Sequence, residues 1–416
     1  MDHRELLSPE ASVLLLALNP GGRAKLDSAV EDPRLDWGRL FWLAEREKAT
    51  PVLWSALREL PPRRVPAEAS RRMEQLAAIS DFRMLRLEQL LIEALSILAE
   101  QKIDAVLLKG AALCATVYGS FAARPMYDVD LLLRAEDAET AWEALRRFGW
   151  RHDEGECPRE FYQAHHHLPP LDDPAGTGLA IELHTSLGAG IARLSVQEII
   201  DRSKPVEIGG ARAFVPAVEH QVLHLCTHFA WSHMLRSSAW RSLRDLRQLV
   251  ADAGLVDWDA VLAVAAEARA ESSCYWTFRI ARALTAVSIP DRVLAELAPR
   301  KSEIGLAKLE RHYLAGLFAF GPVRCPSNRL SRALWTAGMA PRQSGHGRLR
   351  PWSRDEEYPV LTGPSTPTSL RSRFRRRLRA VSAWGNYLRF LLAPATVERR
   401  STNNQTNSFT HRSTRS

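Results

Sequence analysis

The chain has few cysteines and no long apolar run, and these two scarcities exclude several classes of protein. Its 416 residues include five cysteines, far apart and never in CxxC spacing, which argues against a disulfide framework or a thiolate zinc site. No segment approaches the ~18–20 uninterrupted apolar residues of a spanning helix. The N-terminus, MDHRELLSPE, lacks the pattern of a secretory signal. We therefore expect a cytoplasmic protein with no membrane span.

Lysine is absent beyond residue 370, where the chain has eleven arginines and one acid, Glu398, for a charge of +10. The whole chain carries +8, so the body is close to neutral, at −2. A high overall pI therefore says little about whether the body binds nucleic acid. The pattern favours a solvated basic helix, with an RNA or membrane-surface contact through Arg371–Arg379 as the alternative.

Apolar periodicity changes along the chain. Asp36 before Trp37 is typical of a capped helix, and the apolar residues of 81–100 recur at helical spacing. From residue 103, short apolar runs alternate with helices, which indicates mixed α/β structure. The patterns predict a helical segment over 1–100, an α/β core over 101–210, a helical domain over 211–320, a flexible linker over 321–369, a basic helix over 370–400 and a disordered tail over 401–416.

Three acids on two predicted strands carry the chemistry. In MYDVDLLLR, Asp128 and Asp130 alternate with apolar residues, which places both carboxylates on one face of the strand. Glu182, in LAIELHTSL, adds a third carboxylate on another strand. Such a trio can hold two divalent metal ions that bind a nucleotide triphosphate and activate a hydroxyl. A structural network with Lys109 and Arg124 is the alternative, since buried acids need a partner.

Phosphate-binding residues are expected around the turn that ends IDAVLLKG. Gly110 lies where a helix begins, so backbone N–H groups can approach phosphate oxygens. Lys109 and Arg124 supply positive charge, Lys109 as a point charge and Arg124 as a fork. His184 shares a strand face with Glu182, and we expect it to hydrogen-bond a metal-binding carboxylate or to have a structural role.

The segments LLKGAALCATVYG, ARPMYDVDLLL and IELHTSL resemble the uncharacterised nucleotidyltransferase family of the polymerase-beta superfamily, and the flanks DWGRLFWLAEREKATPVLW and EHQVLHLCTHFAWSH agree. The resemblance covers about residues 35–300. It implies an α/β (α+β) fold, a small mixed β-sheet with flanking α-helical segments. It also implies transfer of a nucleoside monophosphate from NTP to a hydroxyl-type acceptor, with release of pyrophosphate.

The resemblance assigns roles residue by residue. Asp128 and Asp130 match the paired ligands of Mg²⁺ or Mn²⁺, Glu182 matches the third, catalytic carboxylate, and Gly110 matches the glycine of the phosphate loop. The superfamily's usual Gly-Ser or Gly-Gly turn is here Lys109-Gly110-Ala111, so the serine hydroxyl is missing. The acceptor stays open among a small molecule, a peptide, a protein side chain and an RNA end.

Several other readings of the residues remain open. The chain could be a non-catalytic nucleotide- or partner-binding protein that retains this fold. His220, His224 and His228 share one helical face at metal-ligand spacing, although the Glu of an HExxH motif is absent. The run His165–His167 is typical of an exposed strand edge or of a nucleotide contact. Asp245 is expected to pair with Arg241 or Arg244, or to line the pocket.

Overall fold

The computed structural model describes residues 6–18, 22–153, 159, 162, 165–189, 192–251, 255–285, 287–318, 328–340, 384–385 and 387–392. Its N-terminal helices are α1 (Pro9–Leu16), α2 (Arg23–Val30), α3 (Trp37–Arg46), α4 (Thr50–Leu57) and α5 (Ala67–Glu100). The Asp36 carboxylate accepts the backbone N–H of Arg39 and caps α3 as expected. The long helix α5 starts after Pro66 and extends the predicted helix of 81–100 by about four turns.

A six-stranded mixed sheet follows. Its strands, in chain order, are β1 (Val106–Leu107), β2 (Asp128–Leu132), β3 (Leu171–Asp172), β4 (Ala180–His184), β7 (Lys204–Ile208) and β8 (Ala211–Val215), and a separate hairpin holds β5 (Gly188–Ala189) and β6 (Ala192–Arg193). The spatial order is β3-β4-β2-β1-β8-β7. The pairs β2–β4 and β1–β8 are parallel and the other pairs are antiparallel. The predicted mixed sheet with flanking helices is confirmed.

The two faces of β2 have different neighbours. Val129, Leu131 and Leu133 point into a core with the long helix α5 and with α7 (Ala135–Arg147). The opposite face carries Asp128 and Asp130. The short helix α6 (Lys109–Leu113) and a π-helical turn (Cys114–Tyr118) connect β1 toward β2, and α8 (Val196–Asp201) precedes β7. Alternation along one strand therefore separates the core from the acids.

The C-terminal helices pack on the N-terminal ones. They are α9 (Val218–Thr227), a π-helical turn (His228–Ser232), α10 (Ala239–Leu249), α11 (Trp258–Glu267), α12 (Glu271–Thr285), α13 (Asp291–Leu297), α14 (Glu303–Gly316) and α15 (Asn328–Met339). Asp257 caps α11 through the N–H groups of Asp259 and Ala260. Residues of both helical segments share one apolar core, and the Trp240 indole donates to the Leu14 carbonyl at 2.8 Å.

Two predicted boundaries differ from the structure. The boundary at 210 falls in the β7–β8 turn, where Gly209 and Gly210 have positive φ, and β8 still belongs to the sheet. The predicted linker over 321–369 contains α15, because Trp335 is buried there and packs edge-on against Trp231 at 4.6 Å. Of the predicted basic helix over 370–400, only 384–385 and 387–392 are described, both helical; Arg371–Arg379 and 401–416 lie outside the described residues.

Cys114, Cys226 and Cys274 are buried free thiols, and Cys157 and Cys325 lie outside the described residues. Across the described ranges, no helix combines the length and the apolarity needed to cross a bilayer.

Candidate active site

The three predicted acids come together on neighbouring strands. Asp130 and Glu182 are direct partners in the parallel β2–β4 register, and Asp128 lies two residues before Asp130 on the same face. His184, fully buried, places its Nε2 2.9 Å from Asp130 Oδ1 and 3.4 Å from Glu182 Oε2. Its imidazole therefore bridges two carboxylates and fixes their orientation. We call Asp128, Asp130 and Glu182 the acidic cluster.

Lys109 balances part of this negative charge. Its Nζ lies 2.5 Å from Asp130 Oδ1. Burial opposes ionisation of Asp130, but Lys109 and His184 outweigh it and hold the Asp130 pKa well below its usual value. Burial likewise opposes the charge of Lys109, yet Asp130, Glu182 and Asp128 raise its pKa. Asp130 and Lys109 are both charged at neutral pH.

The donor set fits a divalent metal ion. One ligand atom each from Asp130, Glu182 and His184 lies within 4.8 Å of the others, the one such group in the described part of the chain. Carboxylate oxygens are the ligands that Mg²⁺ and Mn²⁺ prefer. His184 takes the place in this group that the sequence assigned to Asp128, which borders the same cavity. Since His184 is fully buried, orienting the carboxylates suits it better than ligation.

Gly110 is required by a close approach of Arg124. A Cβ at position 110 would lie 2.0 Å from Arg124 Nη1 and 2.8 Å from Met126 Sδ. The other two guanidinium nitrogens are committed, because Nε donates to Asp245 Oδ1 at 2.9 Å and Nη2 to Oδ2 at 2.6 Å. Arg124 therefore points its Nη1 at Gly110, in the loop where Ala111 replaces the serine expected from the resemblance.

The expected partners of Asp245 are wrong. It pairs with Arg124, not with Arg241 or Arg244, and it accepts a further hydrogen bond from the Tyr118 hydroxyl at 2.8 Å. Arg244 instead donates to the Ala123 carbonyl at 2.6 Å. The alternative expectation, that Asp245 borders the pocket, agrees with the structure.

One cavity of about 810 Å³ joins these groups. The acidic cluster, Lys109, Gly110 and Arg124 form one side of it. The other side comes from α9, the π-helical turn after it and α10. With the segment 233–238 that joins the last two, its polar residues are Gln221, His224, His228, Ser232, His233, Arg236, Ser237, Ser238, Arg241, Ser242 and Asp245. The predicted site residues thus border one cavity, except His184, which lies beneath it.

The histidines divide into two sets. His166, His167, His224, His228 and His233 border the cavity, whereas His220 places its Nε2 3.5 Å from Glu198 Oε1. The three helical histidines therefore do not share a metal site. Burial lowers the pKa of His166 and of His224 to about 3, with Lys109 adding to the effect. Both imidazoles are neutral at physiological pH.

Sequence reasoning missed Lys48 and did not assign Arg241 to the site. Lys48 follows α3 and holds its Nζ 3.6 Å from the centroid of the Tyr127 ring, next to Asp128. Arg241 lies in the first turn of α10 and borders the cavity. Lys48 lies within the flank DWGRLFWLAEREKATPVLW, but no local pattern marks one lysine there as a site residue.

A mixed sheet that presents paired aspartates and a neighbouring glutamate to a cavity bordered by cations defines a nucleotidyltransferase-type fold. The sequence model of the family described as uncharacterised nucleotidyltransferase matches residues 33–286, more than half of the chain. The chain belongs to this family, as the motifs predicted. No curated protein is similar enough to the chain to count as a relative.

Proposed function

We propose that the protein is a Mg²⁺- or Mn²⁺-dependent nucleotidyltransferase that transfers a nucleoside monophosphate from NTP to a hydroxyl-type acceptor. The observation that carries this proposal is the register of Asp130 with Glu182 on the cavity side of the sheet, with Asp128 on the same face. Three carboxylates so arranged, with Lys109 and Arg124 beside them, suit a metal-bound polyphosphate.

The chain's own residues would divide the work. Asp128, Asp130 and Glu182 would hold the metal ions, which would supply charge neutralisation of the polyphosphate and activation of the acceptor oxygen. Lys109 and Arg124 present cations to phosphate oxygens, and His184 keeps two carboxylates oriented. Glu182 takes up the acceptor's proton. The acceptor oxygen forms a bond to the α-phosphorus while the bond to pyrophosphate breaks, so atoms and charge balance.

One observation favours the alternative of a non-catalytic nucleotide- or partner-binding protein. Asp130 is already paired with Lys109 at 2.5 Å, so this buried acid has a partner without any metal. The two functions differ in one property, because a binding protein would retain NTP without converting it.

The test is incubation of the protein with each α-labelled NTP, Mg²⁺ or Mn²⁺ and a cell extract. We expect label on an acceptor, and loss of about a hundredfold or more of the rate in Asp130→Asn. Asp172→Asn is the matched control, since Asp172 is an exposed strand carboxylate on β3 that does not border the cavity. Metal-dependent NTP binding without transfer would support the binding protein. Absence of both NTP binding and transfer would exclude both functions.

A further inference from the structure

Lys48 and Arg241, which we call the cationic edge, come from the two helical segments that flank the sheet. The contact between these segments is specific. Glu47, almost fully buried, accepts the backbone N–H of Trp240 at 3.1 Å through Oε2, while its Oε1 accepts from Arg46 at 3.1 Å. A carboxylate of the first segment therefore caps the helix that carries Arg241. The same contact fixes Lys48, the next residue, beside that helix.

The charges around the cationic edge do not balance. No ion pair forms at Lys48 or Arg241 among the residues that the structure describes: Lys48 lies over the Tyr127 ring, and Arg241 donates to the Ser238 hydroxyl at 3.0 Å. Arg124 adds a third cation nearby, but Asp245 already neutralises it. Asp128 opposes both charges, and the metal ions of the proposed reaction would claim it. Asp130 also acts on Lys48, and Asp245 and Glu47 act on Arg241. These three acids are already paired, with Lys109, Arg124 and Arg46 respectively.

The imbalance shows in both side chains. Burial, and then the charge of Arg241, lower the pKa of Lys48 to about 7. Burial, and then the charge of Arg124, lower the pKa of Arg241. Two like charges held close together in a half-buried site are unfavourable unless an anion joins them. The arrangement is therefore one that a ligand completes.

Arg241 borders the cavity and Lys48 lies beside the helix that carries it, so their chemistry identifies the anion. A guanidinium fork and an ammonium together match the several oxygens and the charge of a phosphate group. Ser238 and Ser242 border the same part of the cavity and offer hydroxyl donors. We propose that Lys48 and Arg241 form a phosphate-binding site, whose phosphate comes either from the β- and γ-positions of the NTP or from a phosphate group on the acceptor. Both sources rest on the proposed function, which supplies the NTP as well as the acceptor.

The test uses calorimetry on the full chain with Lys48→Gln, Arg241→Gln and the double variant. Lys25→Gln and Arg247→Gln are matched controls, because Lys25 is exposed on α2 and Arg247 lies on α10 without bordering the cavity. The probes for the first source are inorganic tripolyphosphate, NTP and NMP, each with Mg²⁺. The probe for the second source is inorganic phosphate added to protein saturated with a non-hydrolysable NTP analogue.

If the phosphate belongs to NTP, each single variant weakens tripolyphosphate and NTP binding by about tenfold, the worth of one charge-assisted hydrogen bond, and leaves NMP binding unchanged. If the phosphate belongs to the acceptor, the variants bind NTP as the wild type does. Saturated with the NTP analogue, they then no longer bind inorganic phosphate. Unchanged binding of every probe in the double variant, or a wild type that binds none of them, overturns the proposal.

The labelled-transfer assay separates this proposal from the proposed function. Transfer by the wild type, together with unaltered binding in the double variant, would overturn the phosphate site and leave the nucleotidyltransferase standing. Tripolyphosphate binding that depends on Lys48 and Arg241, without transfer to any acceptor, would support the site and count against the enzyme.

Discussion

The acidic cluster borders the cavity and the cationic edge reaches it through Arg241, but the two differ in how their charges are balanced. Asp130, in the acidic cluster, has both a cation and an imidazole within hydrogen-bond distance. Lys48 and Arg241, in the cationic edge, have an aromatic face and a hydroxyl. Removal of one partner from a balanced buried pair is costly, whereas unbalanced buried charges are tolerated where a ligand binds.

Removal of Asp245 should have the largest effect on stability, because it turns a balanced buried pair into an unbalanced cation. The change Asp245→Ala turns Arg124, which is buried, into a third cation without a carboxylate. We expect a loss of about 3–5 kcal/mol in the free energy of unfolding, as for other buried pairs deprived of one partner. Chemical denaturation of the free protein measures this loss.

The control for Asp245 is the double change Arg124→Met with Asp245→Leu, which removes both charges. We expect it to regain most of the lost stability, because no unpaired charge stays buried. A double variant as unstable as Asp245→Ala would show that packing around Tyr118, and not charge, accounts for the loss.

A methyl group at position 110 would sharpen the comparison. In Gly110→Ala the new Cβ would meet Arg124 Nη1 at 2.0 Å, and Asp245 holds that guanidinium so that it cannot give way. We expect a loss of about 1–3 kcal/mol in unfolding free energy and weaker NTP binding. The control is Gly38→Ala in α3, where the nearest atom would be 3.3 Å away. Equal stability of the two variants would contradict the argument.

Local patterns were enough to predict β2 and β4 and the face that the acids share, but not the strands from β5 to β8. β2 falls inside the predicted run of 126–134 because alternation of acids with Val129 and Leu131 is itself a property of the strand. The partners across the cavity were beyond such patterns. Arg124 and Asp245 are 121 residues apart, and the link from Glu47 to Trp240 spans 193. Packing of the two helical segments, which no periodicity encodes, decides these contacts.

Low pH protonates histidines that border the cavity, such as His224, and so adds positive charge that has no partner there. The pKa of His224 is about 3 in the fold and about 6.5 in an unfolded chain. The unfolded chain therefore binds more protons between these values, and stability falls as pH falls through this window. We expect His224 to account for a loss of about 1–2 kcal/mol between pH 7 and 5.

Urea denaturation at pH 7 and 5 checks this prediction, with His224→Gln losing less stability than the wild type. His184 acts in the opposite direction, because hydrogen bonds to Asp130 and Glu182 raise its pKa against burial; its contribution is present below about pH 6.5 and is lost as pH rises. An unchanged pH dependence in His224→Gln would mean that the His224 imbalance is relieved by water in the cavity.

The smallest expected effect is a gain in stability, not a loss. Lys48→Met removes a cation that burial and Arg241 disfavour, and the cation–π contact with Tyr127 offsets only part of that cost. We expect the free energy of unfolding of the ligand-free protein to rise by about 0.5–1 kcal/mol at pH 7.

Because the pKa of Lys48 is lowered in the fold, wild-type stability rises with pH above about 7 until the unfolded chain also loses the proton. The advantage of the variant should therefore shrink at pH 9, and denaturation curves at both pH values measure it. A variant less stable than the wild type at pH 7 would show that Lys48 is balanced without a ligand.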